Sequence, residues 1–133
     1  MKNFFPILLW IMMVSVSCVN KNPAQKFEEV FDFALPKMAS VKNYIDKPGD
    51  EIVYEISITP VEMSFLKSSL KDYSKWHIVS DHQIFSAGTT IIKRNASGTQ
   101  EYAFAKTLDG KIPVLIYDKD IGVLYAIMAD GIM

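Results

Sequence analysis

The chain has a single cysteine among its 133 residues, so it cannot form an internal disulfide. Its stability must come from packing. Glycines are few and isolated, at Gly49, Gly88, Gly98, Gly110, Gly122 and Gly131, which excludes a glycine-rich phosphate cradle. The two histidines fall short of any zinc-ligand spacing. No serine sits in a G-x-S-x-G elbow. Neither charge dominates, with 14 Lys and Arg against 15 Asp and Glu, so no nucleic-acid footprint is present. From these absences we expect no catalytic centre, no metal and no cofactor.

The first 18 residues are the most specific stretch. Lys2 gives a short positive start, Phe4 to Val16 is an almost unbroken apolar run, and Ser15 and Ser17 precede Cys18. A charged start, a short apolar core and a small-residue end make a secretory signal peptide. The run is shorter than the roughly 20 residues that span a bilayer as a helix.

The end of this stretch, Ser15-Val16-Ser17-Cys18, resembles the lipobox of bacterial lipoproteins. The resemblance implies cleavage before Cys18, diacylglycerol on its sulfur and an acylated new amine. Val19 follows, not the Asp that retains such proteins in the inner membrane. The implied location is therefore the cell envelope, at the outer membrane and facing the periplasm. Lipid on Cys18 is the expected link to the membrane. Residues 1–17 would be the signal peptide, 18–22 a lipidated tether and 23–133 one domain. At about 3.3 Å per extended residue, the tether holds the domain within roughly 15 Å of the bilayer.

The domain reads as α+β. Pro23 opens a helix reaching Leu35, with Phe27, Val30, Phe31 and Ala34 at helical spacing. Residues 37–46 are ambiguous; Met38, Val41 and Tyr44 would suit further helical turns. Lys47-Pro48-Gly49-Asp50 is a turn, and Glu51 to Ile58 alternates as a strand. Thr59-Pro60-Val61-Glu62 is a capping box. The helix it opens is predicted to reach Tyr73–Lys75, with Met63, Phe65, Leu66, Leu70 and Tyr73 on one side.

Four strands should follow: Ile84–Arg94 with a bulge at Gly88, Gln100–Thr107, Lys111–Tyr117 and Val123–Ala129. The expected fold is two helices with a mainly antiparallel sheet, in the order helix, strand, helix and four-strand meander. The strand–helix–four-strand part resembles the element order of cystatin-like domains, by topology alone and without an inhibitor motif.

Asp109-Gly110 is a strong hairpin turn. With position 108 opposite 111, it would place Tyr102, Phe104, Leu115 and Tyr117 on one apolar face. Either the N-terminal helix closes that face, burying Phe27, Val30 and Phe31, or it is a platform for a partner, an apolar ligand or a second copy. Lys67, Lys71 and Lys75 would form a basic stripe on the capped helix, either solvated or touching anionic headgroups or an acidic partner. His77, Asp81 and His82 form the one cluster with ligand-type chemistry. Their spacing puts the histidines on opposite faces of a regular strand.

The expected function is a membrane-tethered, non-enzymatic binding module, as an envelope accessory or an inhibitor or immunity-type protein. A carrier of lipid or another apolar ligand is the alternative, and an envelope hydrolase comes third. A protein partner or self-association is expected, and no nucleic acid.

Overall fold

A computed structural model describes residues 22–95 and 98–132. The expectations for the signal peptide, the lipobox and Cys18 lie outside the described residues. The class is α+β: the described residues form two helices and a six-stranded antiparallel sheet, with a smaller second sheet.

Helix α1 spans Pro23–Phe31. Asn22 caps it, accepting from the Gln25 N–H while the Gln25 side chain reaches back to the Asn22 amide. It stops four residues before the expected Leu35, because Asp32 turns left-handed at φ 64° and its N–H closes on the Glu28 carbonyl. The ambiguous stretch is a strand, β1 (Ser40–Lys47). It pairs with β2 (Glu51–Ser57) across the expected turn, where Gly49 takes φ 80°. Tertiary pairing outweighs the three-residue spacing there, because Tyr44 stacks on its cross-strand partner Tyr54 at 5.4 Å.

Helix α2 spans Pro60–Ser69. The Thr59 hydroxyl accepts from the Glu62 N–H, but the Glu62 carboxylate accepts from the Met38 N–H and the Thr59 hydroxyl instead of the Thr59 N–H, so only half of the expected capping box forms. The helix ends short of Tyr73 because the Ser68 and Ser69 hydroxyls bind the Phe65 and Leu66 carbonyls and Leu70 is extended. Met63 and Leu66 are buried, but Phe65 is 73% exposed. At 100° per residue Phe65 stands about 200° from Met63, so it cannot share that side.

The remaining strands are β3 (His77–Ile78), β4 (Ile84–Ala87), β5 (Thr90–Lys93), β6 (Gln100–Phe104), β7 (Ile112–Asp118), β8 (Val123–Ala129) and β9 (Gly131–Ile132). The main sheet runs β1-β2-β8-β7-β6-β3, so only β6, β7 and β8 form a meander. The expected strand Ile84–Arg94 is a hairpin instead. Gly88, at φ 61°, and Thr89 form a two-residue turn between Ala87 and Thr90. This hairpin leaves the main sheet and, with β9, makes the second one, ordered β5-β4-β9.

Each face of the main sheet therefore carries a different cover, the second of them partial. On one face the helices bury Phe27, Phe31, Met63 and Leu66 against Tyr54, Ile56, Leu115 and Leu124. On the other the small sheet packs Phe85 and Ala87 on Val53, Val114, Ile116 and Ile127. This is why β8 is apolar on both sides: Leu124 and Ala126 serve the first core, Ile127 and Ala129 the second.

Glu51 clasps the second sheet to the first. Its buried carboxylate accepts from the Thr90 N–H at 2.9 Å and from the Thr90 and Thr89 hydroxyls. A Cβ on Gly88 would approach the Glu51 side chain to 3.0 Å, so the turn passes as close as a glycine permits. The Thr90 hydroxyl bond, followed by the other hydrogen bonds at this turn, holds the carboxyl below its ordinary range against the opposing effect of burial. A depressed carboxyl stabilises the fold fully above the unfolded value, about 4.3. That contribution fades as pH falls through the lower folded value. Glu51→Ala is expected to speed amide exchange across residues 84–93 by roughly tenfold at neutral pH. In the wild type the same hairpin should loosen first on acidification. Uniform exchange rates in variant and wild type would remove the clasp.

Candidate functional site

The four residues expected on one apolar face are divided between two. The Asp109-Gly110 turn forms as the sequence implies, with φ 52° and 79° and the bridge Leu108↔Lys111. Beyond it the register slips by one: residues 105–107 oppose only 112–113, and Phe104 pairs with Val114. Pro113 sits at this bulge, having no N–H to give but accepting from the Ala105 N–H. A one-residue slip turns every side chain over. Leu115 and Tyr117 thus enter the core beneath the helices, while Tyr102 and Phe104 face the second-sheet side with Val114 and Ile116. α1 does not cover that side, and Phe104 stays 37% exposed. Phe85 packs on Tyr102, ring centroids 5.0 Å apart.

The basic stripe does not form. Lys67 is on α2 but pairs with Glu101 and lies over the rings of Trp76 and Tyr117, at 5.0 and 5.7 Å. Lys71 and Lys75 fall beyond the helix end, exposed. Tyr117 is 5% exposed, and burial raises its pKa; its hydroxyl has no hydrogen-bond partner among the described residues.

The histidine cluster is dispersed. His77 lies against the rings of Tyr102 and Phe104 at 5.3 and 6.2 Å, Asp81 pairs with Arg94, and His82 is exposed. No three metal-ligating side chains converge among the described residues.

The structure instead presents a site that residue patterns did not indicate. The small sheet covers only part of its face. Between β5 and the β1–β2–β8 part of the main sheet lies an open groove of about 420 Å³. Asn43, Glu55 and Tyr125 line it and form one transverse row: Asn43 pairs with Glu55, and Glu55 with Tyr125. Ile45 supplies an apolar neighbour, and Ile91 and Lys93 come from β5.

Burial, with Glu55 and Asp118 nearby, raises the Tyr125 pKa, so its hydroxyl keeps its proton. The row combines a carboxylate acceptor, an amide and a neutral phenol, and the β5 strand with Lys93 borders the same groove. β5 is the outer strand of its three-stranded sheet. Among the described residues no strand lies beside its outer edge, a template for adding another strand.

Two features hid this groove from the sequence. Asn43 lies in an ambiguous stretch whose three-residue spacing suits further helical turns, and β5 emerges only once residues 84–94 fold as a hairpin. A Gly-Thr pair between two runs of β-branched and aromatic residues is the signal that could have revealed it.

No helix among the described residues is long and apolar enough to cross a membrane. Compared with known protein families, curated proteins and solved structures, the chain has no match.

Proposed function

We propose that this protein is a bacterial lipoprotein, tethered through Cys18 at the periplasmic side of the outer membrane, that works as a non-enzymatic binding module. Its role is that of an envelope accessory or an inhibitor or immunity-type protein. The observation that carries the binding role is the β5 edge, which no strand among the described residues pairs with, beside the Asn43–Glu55–Tyr125 row. An extended segment of a partner protein can add to β5 through its backbone. Its side chains then alternate between solvent and the groove. Glu55 and Lys93 select a segment carrying complementary charges, and Ile45 receives an apolar side chain.

The carrier alternative needs space between helices and sheet. Phe27, Phe31, Met63 and Leu66 fill the centre of that layer, and a depression of about 630 Å³ lies at its margin beside Phe33, Tyr73 and Pro113.

A photo-crosslinking residue at Ile91 in the full chain, expressed in a bacterial envelope, tests the site. One discrete protein adduct is expected, abolished by Glu55→Lys, with none from a probe at Ile78. An Ile91 probe that captures nothing, or an adduct indifferent to Glu55→Lys, would remove the groove as the working surface.

A further inference from the structure

On the reading that Cys18 carries lipid, we propose that the exposed apolar ridge of Val61, Phe65 and Met38 is where the domain rests on the bilayer. Val61 and Phe65 are four residues apart on α2, 79% and 73% exposed, and Met38 is 79% exposed beside them. The Met38 N–H donates to Glu62, which lies between the two on the helix. Leu35 and Pro36 share with Val61 and Phe65 a shallow depression of about 500 Å³. Three large apolar side chains exposed together on one surface mark an interaction site, since single ones are commonplace.

The course of the chain identifies the occupant. α1, residues 34–38 and α2 make up the helix layer of the domain, on one face of the main sheet. The described chain begins in that layer, at the Asn22 cap. Cys18 is four residues upstream, roughly 13 Å when extended. A lipid there keeps the start of α1 close to the headgroups, so the layer holding the ridge faces the membrane more readily than the groove does.

The chemistry agrees. Glu62 already takes the Met38 N–H and helix α2 satisfies its own backbone, so the ridge offers no hydrogen-bond ladder for an extended peptide. What remains is apolar side-chain surface, with Lys37 exposed at the rim of the depression. A bilayer interface accepts such a surface: apolar groups enter the acyl boundary and lysine meets phosphate. A second contact also suits an acylated protein, because one weak attachment adds to another.

Hydroxyl-radical footprinting of the full chain in phosphatidylethanolamine–phosphatidylglycerol vesicles tests this, read by peptide mass. In the wild type, Met38 should be oxidised at least threefold more slowly than in the Val61→Glu, Phe65→Glu double variant. Ile91, 62% exposed away from the helices, serves as the unchanged control. Both replaced side chains are exposed, so the variant keeps its core. Equal Met38 oxidation in the two chains, both bound to vesicles, would overturn the proposal. Protection that vanishes when the protein is diluted among vesicles would assign the ridge to a second copy and overturn it too. Intact mass of the same sample reads Cys18 separately. If Cys18 is unmodified, vesicle flotation lost in the double variant still supports the ridge, and no flotation of the wild type overturns it.

Discussion

Tyr54→Ala is expected to lower stability by about 4 kcal/mol, in the range for deleting a buried aromatic ring. For a domain of this size that is a fall in Tm of roughly 15–20 °C. Tyr54 is fully buried and joins three elements. Its ring meets Phe27 at 5.5 Å and Phe31 at 6.1 Å, edge to face, so it seats α1 on the sheet. It also stacks on Tyr44 of β1, and its hydroxyl donates to Asp46 at 2.6 Å. Burial and the Asp46 carboxylate together push its pKa up, so it remains a donor at any working pH. Tyr54→Phe keeps the ring and loses only the hydroxyl bond, which should cost about 1–2 kcal/mol. Thermal unfolding of the two variants separates the contributions. If Tyr54→Phe were as damaging as Tyr54→Ala, the hydroxyl bond and not the aromatic packing would hold α1 in place.

Asp118→Asn should be the next most damaging change, at about 3 kcal/mol, because it reverses the polarity of a buried acceptor. Asp118 is 3% exposed. It accepts from Asn95 Nδ2 at 2.7 Å, from Gln100 Nε2 at 3.3 Å and from the Asp120 N–H at 3.1 Å. Every partner is a donor, so an amide in place of the carboxylate must point its own N–H₂ at one of them. Gln100 is buried as well and takes the Asn95 N–H, so the loop entering β6 should loosen with it. Denaturant unfolding gives the magnitude, and amide exchange at Gly98 and Gln100 locates the loosening. A variant within 0.5 kcal/mol of the wild type would show that the network does not hold the loop.

Local signals survived folding where their partners are local. The Thr59 N-cap bond, the Lys47–Asp50 turn and the Asp109-Gly110 turn all form, because each is closed by groups within four residues. The class, α+β, was legible for the same reason. What depended on distant partners was not. The bulge at residues 105–107 carries no marker except Pro113 beside it, yet it moves Tyr102 and Phe104 to the other face of the sheet. β1 is a strand because β2 offers it a ladder and Tyr54 a stacking surface, neither visible within residues 37–46.

For the face of Tyr102, Phe104, Leu115 and Tyr117 the expected outcomes are closure by the N-terminal helix or an open platform. The bulge splits these residues: the helices cover only Leu115 and Tyr117, and the other face takes a different cover. The cover is the hairpin of β4 and β5, whose residues read as one continuous strand. The candidate site was less legible than the fold. Asn43, Glu55 and Tyr125 are separated by 82 positions in sequence from first to last, and only the pairing of β1, β2 and β8 brings them into one row.

The proposed lipid tether on Cys18 decides whether the groove and the ridge operate at a membrane at all. Intact mass spectrometry of the chain extracted from bacterial membranes tests it most directly. The expected result is a chain that begins at Cys18, lacks residues 1–17 and carries diacylglycerol on the sulfur with a further acyl group on the amine. A free Cys18 thiol in a chain that retains residues 1–17 would contradict the account.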